Sequence, residues 1–491
     1  MSDPLDMTSS SNKSLPADIF WAILEELAED HESLKHCATV SRLFLRFSRK
    51  HLFRVIKLKF VMRSGRHPCA RLHSVLSSHP EVASFIQELG ITAGKWSLVQ
   101  PTLPLLLHQI ATANSLRVLF FSSWEGVGWT MFGPLLQDAV CALLGSTRLV
   151  TLNFSTPLTW DLPVAIFAIP PALKKLTFIQ LWPEQTVSED RRILRLPTMQ
   201  PRAPTKLRTL VLAGRLAEKL VRYLTQPHCP IQLSELRELR VIDRAGEMVE
   251  LAGAIMTAAE ASLEHLVWLS QNKKLRDSDL IESTVQLDMR RMQALRTLEI
   301  RLFPYHYHCE WATRIVRDWG LPTTIETVSL IFDGAHFQIW PDDACVEEID
   351  KTLLSKEHGL DAALASLCNK SAYPSLRKIK VELQIPGAVL RRMDDEVVQS
   401  CFGLWFPDVK KTGYLDGSCV LWLPEGEEAV EGGTGDRSPV CADLALLVDL
   451  YMSPCIDLLA LFFWLVSVLI FLLLLAPIRL KVLLIRGTFP M

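Results

Sequence analysis

Three stretches of the chain hold residue types that could do chemistry. Tyr305-His306-Tyr307-His308-Cys309 sets three metal-ligating side chains within four residues. A structural zinc site draws its ligands from two such groups, and no second pair stands nearby at finger-like spacing. Gly432-Gly433-Thr434-Gly435 is glycine-rich, but it lacks the lysine and the strand-to-helix setting of a phosphate loop. Arg42, Arg46, Arg49, Lys50, Arg54, Lys57 and Lys59 form a basic cluster that would suit an anion. In a chain of formal net charge −2, it reads as a solvated face or a contact for an acidic protein, not as a nucleic-acid site. No nucleophile, base and orienting acid form a catalytic constellation, so the expectation is a protein that is not an enzyme and needs neither metal nor cofactor.

The elements that would position such residues come from a long, apolar chain. At 491 residues and 49% hydrophobic composition it has length for two to four domains and ample core. Its 11 cysteines are scattered from Cys37 to Cys455 with no C-x-x-C pair, which reads as small core residues in a reducing compartment. Residues 1–14 are polar, carry Asp3 and Asp6, and read as a disordered leader rather than a secretory signal.

Residues 15–59 are the most strongly patterned. Pro16 suits the first turn of a helix, where its missing N–H is no loss, and Ile19, Ile23 and Leu27, with Phe20 and Leu24 beside them, form a stripe of helical period. The pattern predicts a helix over 16–28. The polar run 30–33 interrupts it, and Leu34, Cys37, Val40, Phe44 and Phe47 then recur at steps of three or four, which predicts a second and third helix. Phe53, Ile56, Leu58 and Phe60 alternate with Lys57 and Lys59, the signature of a strand with one buried face. So small a bundle buries too little surface to be stable alone. Its apolar outer face needs a partner, or else the bundle is the helical cap of the domain that follows.

Leu15-Pro16, then Ile19, Ile23, Leu24 and Leu27, then Leu34 and Cys37, then Val40-Ser41 and Phe44, together resemble an F-box. The form is that of a fungal, basidiomycete-type family of F-box proteins. The resemblance implies that these residues dock a Skp-type adaptor and, through it, the cullin of a ubiquitin ligase.

Beyond the bundle, an apolar-x-x-apolar-x-apolar motif starts at positions 53, 86, 116, 149, 173, 207, 236, 263, 295, 325 and 376. Most intervals lie near 30 residues, and the second position is charged in nine of the eleven. Helical patterns fall between the motifs, at 103–113, 135–144, 216–224, 248–259, 280–292 and 311–319. Strand, loop and helix at such a period resemble a leucine-rich-repeat-like α/β solenoid over 53–424. The asparagine or cysteine that usually follows the motif in that family is mostly missing. A doubly wound sheet would use the same elements without a fixed period. Trp124, Trp160, Trp182 and Trp268 fall at or just after the motifs, some of them as recognition anchors at a rim and most as core. Residues 337–367 form an insertion with a helix from position 346, and Phe406-Pro407 with Gly413-Tyr414-Leu415 would close the domain as a strand and turn.

Residues 425–440 are acidic and glycine-rich and read as a linker. Residues 458–478 contain no charge, and as a helix they would span about 30 Å, the hydrocarbon thickness of a bilayer. A transmembrane helix is the direct reading; a buried C-terminal helix or a gene-model artefact is the alternative. Arg479, Lys481 and Arg486 after it would place the C-terminus in the cytosol by the positive-inside rule. An F-box must face the cytosol or nucleus, which requires the opposite, so a C-terminal tail anchor is the favoured orientation. The resulting expectation is a non-catalytic substrate receptor. Its adaptor docks at 15–59, an unknown target protein binds along the repeats, and a membrane anchor ends the chain; without a true span, it would reside in the cytoplasm or nucleus. The competing expectation is a membrane-anchored scaffold whose F-box no longer binds the adaptor.

Overall fold

The computed structural model describes residues 17–60, 68–94, 100–123, 129–155, 166, 170–179, 204–214, 217–243, 248–270, 288–302, 306–333, 359–386 and 404–422. The chain divides into two compact units, the first taking residues 1–333, 346–382 and 399–418 and the second 334–345, 383–398 and 419–491. Nearly all described residues belong to the first. The second contributes only 383–386 and 419–422, and the segments 425–440 and 458–478 lie outside the described residues. Among the described residues no helix is long and apolar enough to cross a membrane.

Three helices open the first unit: α1 (Ala17–Glu26), α2 (His31–Val40) and α3 (Arg42–Leu52). The chain then enters a mixed α/β body. Its strands are β1 (Val55–Lys59), β2 (Glu88–Ala93), β3 (Val118–Ser123), β4 (Thr151–Ser155), β5 (Lys175–Ile179), β6 (Thr205–Lys206), β7 (Thr209–Ala213), β8 (Ile231–Gln232), β9 (Glu238–Asp243), β10 (His265–Ser270), β11 (Thr297–Leu302), β12 (Thr327–Asp333), β13 (Lys378–Pro386) and β14 (Leu415–Trp422). Twelve of them form one sheet in the order β1-β2-β3-β4-β5-β7-β9-β10-β11-β12-β13-β14, while β6 and β8 pair separately. Every neighbouring pair from β1 to β12 in the large sheet is parallel. Strand order thus follows chain order without the reversal of a doubly wound sheet.

Each of the eleven motifs becomes one strand, and each strand begins two residues after its motif does. Backbone hydrogen bonding sets that offset. The carbonyl of the motif's second residue accepts two N–H groups from the next motif. Gln87 and Glu88 donate to Arg54 at 2.9 and 3.0 Å, Arg237 and Glu238 to Arg208 at 2.9 and 3.0 Å, and Glu326 and Thr327 to Arg296 at 2.8 and 3.0 Å. The same double bond recurs without interruption from Arg54 to Glu326. In this register Leu89, Leu119, Leu152, Leu176, Leu210, Leu239, Leu266 and Leu298 stand side by side across the sheet. All three apolar positions are buried in ten of the eleven motifs, the exception being the first, on the edge strand β1. Each fully buried leucine contributes about 1.5–3 kcal/mol of transfer free energy.

Hydroxyls tie successive motifs together. Ser115, directly before its motif, donates to the carbonyls of Ala83 at 2.9 Å and Ile86 at 2.8 Å. Ser262 reaches the Leu236 carbonyl at 2.9 Å, and Thr324 reaches that of Leu295 at 2.9 Å. Asn114 ends helix α5 (Thr102–Ala113) in the left-handed conformation at φ 49°, and its Oδ1 accepts from Thr147 N–H and Ser146 Oγ, both at 2.9 Å. These bonds lie just before the motifs and link each one to its predecessor.

The expected helices at 103–113, 135–144, 216–224 and 248–259 are α5, α6 (Pro134–Leu144), α7 (Ala217–Leu224) and α8 (Met248–Ala258). The helix expected at 311–319 starts earlier, as His306–Asp318. Helix α4 (Pro68–Ser78) and the helix Leu360–Leu367 were not anticipated at those bounds. Two expectations are corrected. Of the helix expected over 280–292, the described end is a single 3-10 turn, Met289–Arg291, started by Asp288 Oδ1 accepting from Arg290 N–H at 3.1 Å. Phe406-Pro407 does not form a strand. Pro407 opens the short helix Pro407–Thr412, whose N–H groups at Asp408 and Val409 donate to the Asp361 carboxylate at 2.9 and 3.0 Å, and strand β14 follows it. The carboxylate satisfies the helix's first donors, an interaction across 47 residues that no local pattern announces.

Two substitutions test this architecture. Ser115→Val retains bulk but leaves both accepting carbonyls without the hydroxyl, and should cost about 1–3 kcal/mol. Leu239→Ala, in the middle of the leucine row, should cost about 2–5 kcal/mol. Equilibrium denaturant unfolding reads both; a loss under 0.5 kcal/mol for Ser115→Val would mean that the hydroxyls do not tie the motifs.

Candidate functional site

The resemblance directs attention to the three-helix bundle. Helix α1 is apolar on more than one side, and the fold divides those sides. Phe20 meets Phe44 of α3 edge-on at a centroid distance of 4.8 Å. Trp21 lies against Phe47 at 4.4 Å and His51 at 6.3 Å, with the Lys50 ammonium 4.4 Å above its ring. Leu24 and Leu34 are fully buried. On the other side of α1, Ile19 and Ile23, one turn apart, are 43% and 41% exposed, and at the junction of α2 and α3, Val40 and Leu43 are 70% and 38% exposed.

The residues singled out in the sequence therefore have different places. Leu15 and Pro16 lie outside the described residues. Leu24 and Leu34 are internal supports, with no surface to offer a partner. Leu27, Cys37 and Phe44 are half-buried. Ser41 is the N-cap of α3, its Oγ accepting from Phe44 N–H at 3.2 Å. Ile19, Ile23 and Val40 are the members of the set that present apolar side chains outward. Leu43 belongs with them and was missed, because it sits one step off the stripe of 40, 44 and 47. Inside the bundle, Ser48 Oγ and His51 Nε2 are buried without a hydrogen-bond partner among the described residues.

Asp30 caps α2. Its Oδ1 accepts from Glu32 and Ser33 N–H, each at 3.1 Å, and its Oδ2 from Ser33 Oγ at 2.5 Å. The Ser33 hydroxyl, then the Ser33 amide, hold the Asp30 carboxyl below its usual range. All of these donors favour the ionised form.

The remaining sites do not assemble. Among the described residues no group of three or more His, Cys, Asp or Glu side chains is placed to hold a metal. His308 and Cys309 are fully buried on the helix His306–Asp318, and burial pushes the Cys309 thiol up to about 12, where it stays protonated and is a poor ligand. Gly432 to Gly435, Trp124, Trp160 and Trp182 lie outside the described residues. Trp268 is no rim anchor: it is fully buried, with Trp311 and Trp319 at 6.0 and 5.1 Å. The basic cluster is real as a surface, with Arg42, Arg46, Arg54, Lys57 and Lys59 all exposed.

No protein-family model and no curated protein matches this chain.

Because the folded-state pKa of Asp30 is depressed, its capping contribution is complete above the unfolded value near 3.8 and is lost as pH falls through the lower folded value. Asp30→Asn keeps an acceptor at the cap but removes the titration. Acid titration followed by helical circular dichroism should show a shallower loss of stability below pH 4 for this variant; superimposable curves would remove Asp30 from the acid response.

Proposed function

We propose that the chain is a non-catalytic substrate receptor of a Skp-cullin-F-box type ubiquitin ligase. The observation that carries this reading is the apolar pair Ile19 and Ile23, with Val40 and Leu43, left outward on a helical bundle whose own core is already closed by Leu24, Leu34 and the aromatic contacts. Exposed side chains of this size favour burial in a partner. In this reading the Skp-type adaptor covers them, with Leu15 and Pro16 completing the contact, and a cullin follows through the adaptor.

The α/β body is then an irregular leucine-rich-repeat-like solenoid that presents a target protein. One strand per motif, in chain order and parallel from β1 to β12, supports the proposal. Only two residues separate α3 from β1, so adaptor and target would be held at a defined separation. Catalysis enters through position alone: a bound target is kept at high effective concentration near the ligase. The apolar segment 458–478 would act as a C-terminal tail anchor, keeping the bundle and repeats on the cytosolic side.

Affinity capture tests the adaptor contact. Ile23→Asp with Val40→Asp should reduce recovery of a Skp-type adaptor at least tenfold while circular dichroism stays unchanged, and Leu15→Ala with Pro16→Ala should act in the same direction. Equal recovery by all three chains would sink the receptor reading and favour the membrane-anchored scaffold with a degenerate F-box. Carbonate fractionation tests the anchor, which is wrong if the full-length chain is released into the soluble fraction.

A further inference from the structure

The second motif position forms a row of side chains along the edge where the chain enters the strands. In order it reads Arg54, Gln87, Arg117, Val150, Lys174, Arg208, Arg237, Glu264, Arg296, Glu326 and Arg377. From Arg237 onward the row neutralises itself between neighbours. Arg237 meets Glu264 at 3.5 Å, Arg296 is paired with Glu326, and Arg377 approaches Glu326 at 3.9 Å. Before Arg237 it holds cations and no anion. Arg54, Arg117, Lys174 and Arg208 are all exposed, and none makes an ion pair with a described residue. Glu235 lies close enough to feel Arg208 and Arg237, but its carboxylate bonds Lys206 Nζ at 2.5 Å. Glu88 and Glu238 lie on the strands themselves, and Glu238 is engaged by Arg240 at 2.5 Å.

Strands in a sheet stand about 4.8 Å apart, so the cations from β1 to β7 lie along a line of roughly 24 Å. Gln87 and Val150 separate the first three by about 10 Å each, which lessens their repulsion. At the far end, beside Arg237, a cleft of about 250 Å³ is lined by Ser234, Glu235, Ser262 and Glu264.

We infer that this cationic half-row binds an extended, Asp/Glu-rich peptide segment of a partner protein laid across the strand starts. The second half of the row supplies the template: where a carboxylate follows an arginine in the next motif, the two pair. The peptide's carboxylates would do for Arg117, Lys174 and Arg208 what Glu264 and Glu326 do for Arg237 and Arg296. Arginine suits this role, since its planar fork holds a carboxylate through two N–H groups. A line of cations fits a chain running in one direction, and the chain's near-zero net charge supplies no general attraction for nucleic acid. The inference rests on the receptor reading only in identifying the peptide as part of a ubiquitination target.

The test is fluorescence anisotropy of a labelled twelve-residue Glu-Gly repeat peptide with the full-length chain in detergent at low salt. Arg117→Glu with Arg208→Glu should weaken binding at least tenfold. The same variant should melt within a few degrees of the wild type, because both positions are exposed and Arg208→Glu stands between Lys174 and Arg237, and it should recover the adaptor normally. Arg296→Glu, in the self-paired half, should leave peptide affinity within twofold, and salt should weaken the wild-type complex. Undiminished peptide binding by the double variant overturns the inference. So does tighter binding of a twelve-nucleotide thymidine oligomer, or a phosphatidylserine-dependent vesicle binding that the double variant loses while keeping the peptide. Loss of adaptor recovery by the wild type with peptide binding intact would refute the receptor reading and leave the row standing.

Discussion

A single backbone carbonyl in each motif but the last, accepting two N–H groups from the next, is the constraint on which the rest of the structure depends. A buried backbone donor without a partner costs as much as a lost hydrogen bond, so each motif can start only where the previous carbonyl waits. That fixes a two-residue offset between motif and strand and brings Leu210, Leu239 and Leu266 into one row. A slip of one residue would turn every such leucine to the opposite face. The hydroxyls of Ser115, Ser262 and Thr324, which donate back to carbonyls of the preceding motif, act at the same edge.

The same constraint explains the charged second position. The residue whose carbonyl is committed to the ladder precedes the strand and directs its side chain outward, where a charge carries little desolvation cost. Neighbouring second positions are one strand apart, so their charges interact. Paired signs, as at Arg296 and Glu326, add modestly at an exposed edge. Repeated like signs oppose one another and leave an attractive field for an anion. A side chain set outward by backbone geometry thus becomes the chemistry of a surface.

The helical bundle follows a different logic. Its core is small, and aromatic contacts carry much of it: Phe20 with Phe44, and Trp21 with Phe47 under the Lys50 ammonium. Aromatic pairs of this kind add about 0.5–1.5 kcal/mol beyond area burial. With that core complete, Ile19, Ile23, Val40 and Leu43 remain as surplus apolar surface. Basic side chains at Arg42 and Arg46 border the same helices. The patch is therefore apolar at its centre and edged by positive charge.

Much of this was legible in the amino-acid order. The three-residue apolar motif located all eleven of its strands, and the 3.6-residue stripes located α1, α2, α3 and most of the later helices, because these patterns report which side chains need burial within one element. Local order could not reveal what lies across the chain. Asp361 capping the helix at Pro407, Asn114 bonding Ser146 and Thr147, and the burial of Trp268 among Trp311 and Trp319 depend on residues brought together by folding. The F-box-like set shows the same division. Sequence alone determined that Ile19, Ile23, Leu24, Leu34 and Val40 are apolar at helical spacing. Only the tertiary structure decided that Leu24 and Leu34 face inward while Ile19, Ile23 and Val40 face out, because a helix that is apolar on several sides has its exposed side chosen by what packs against the others.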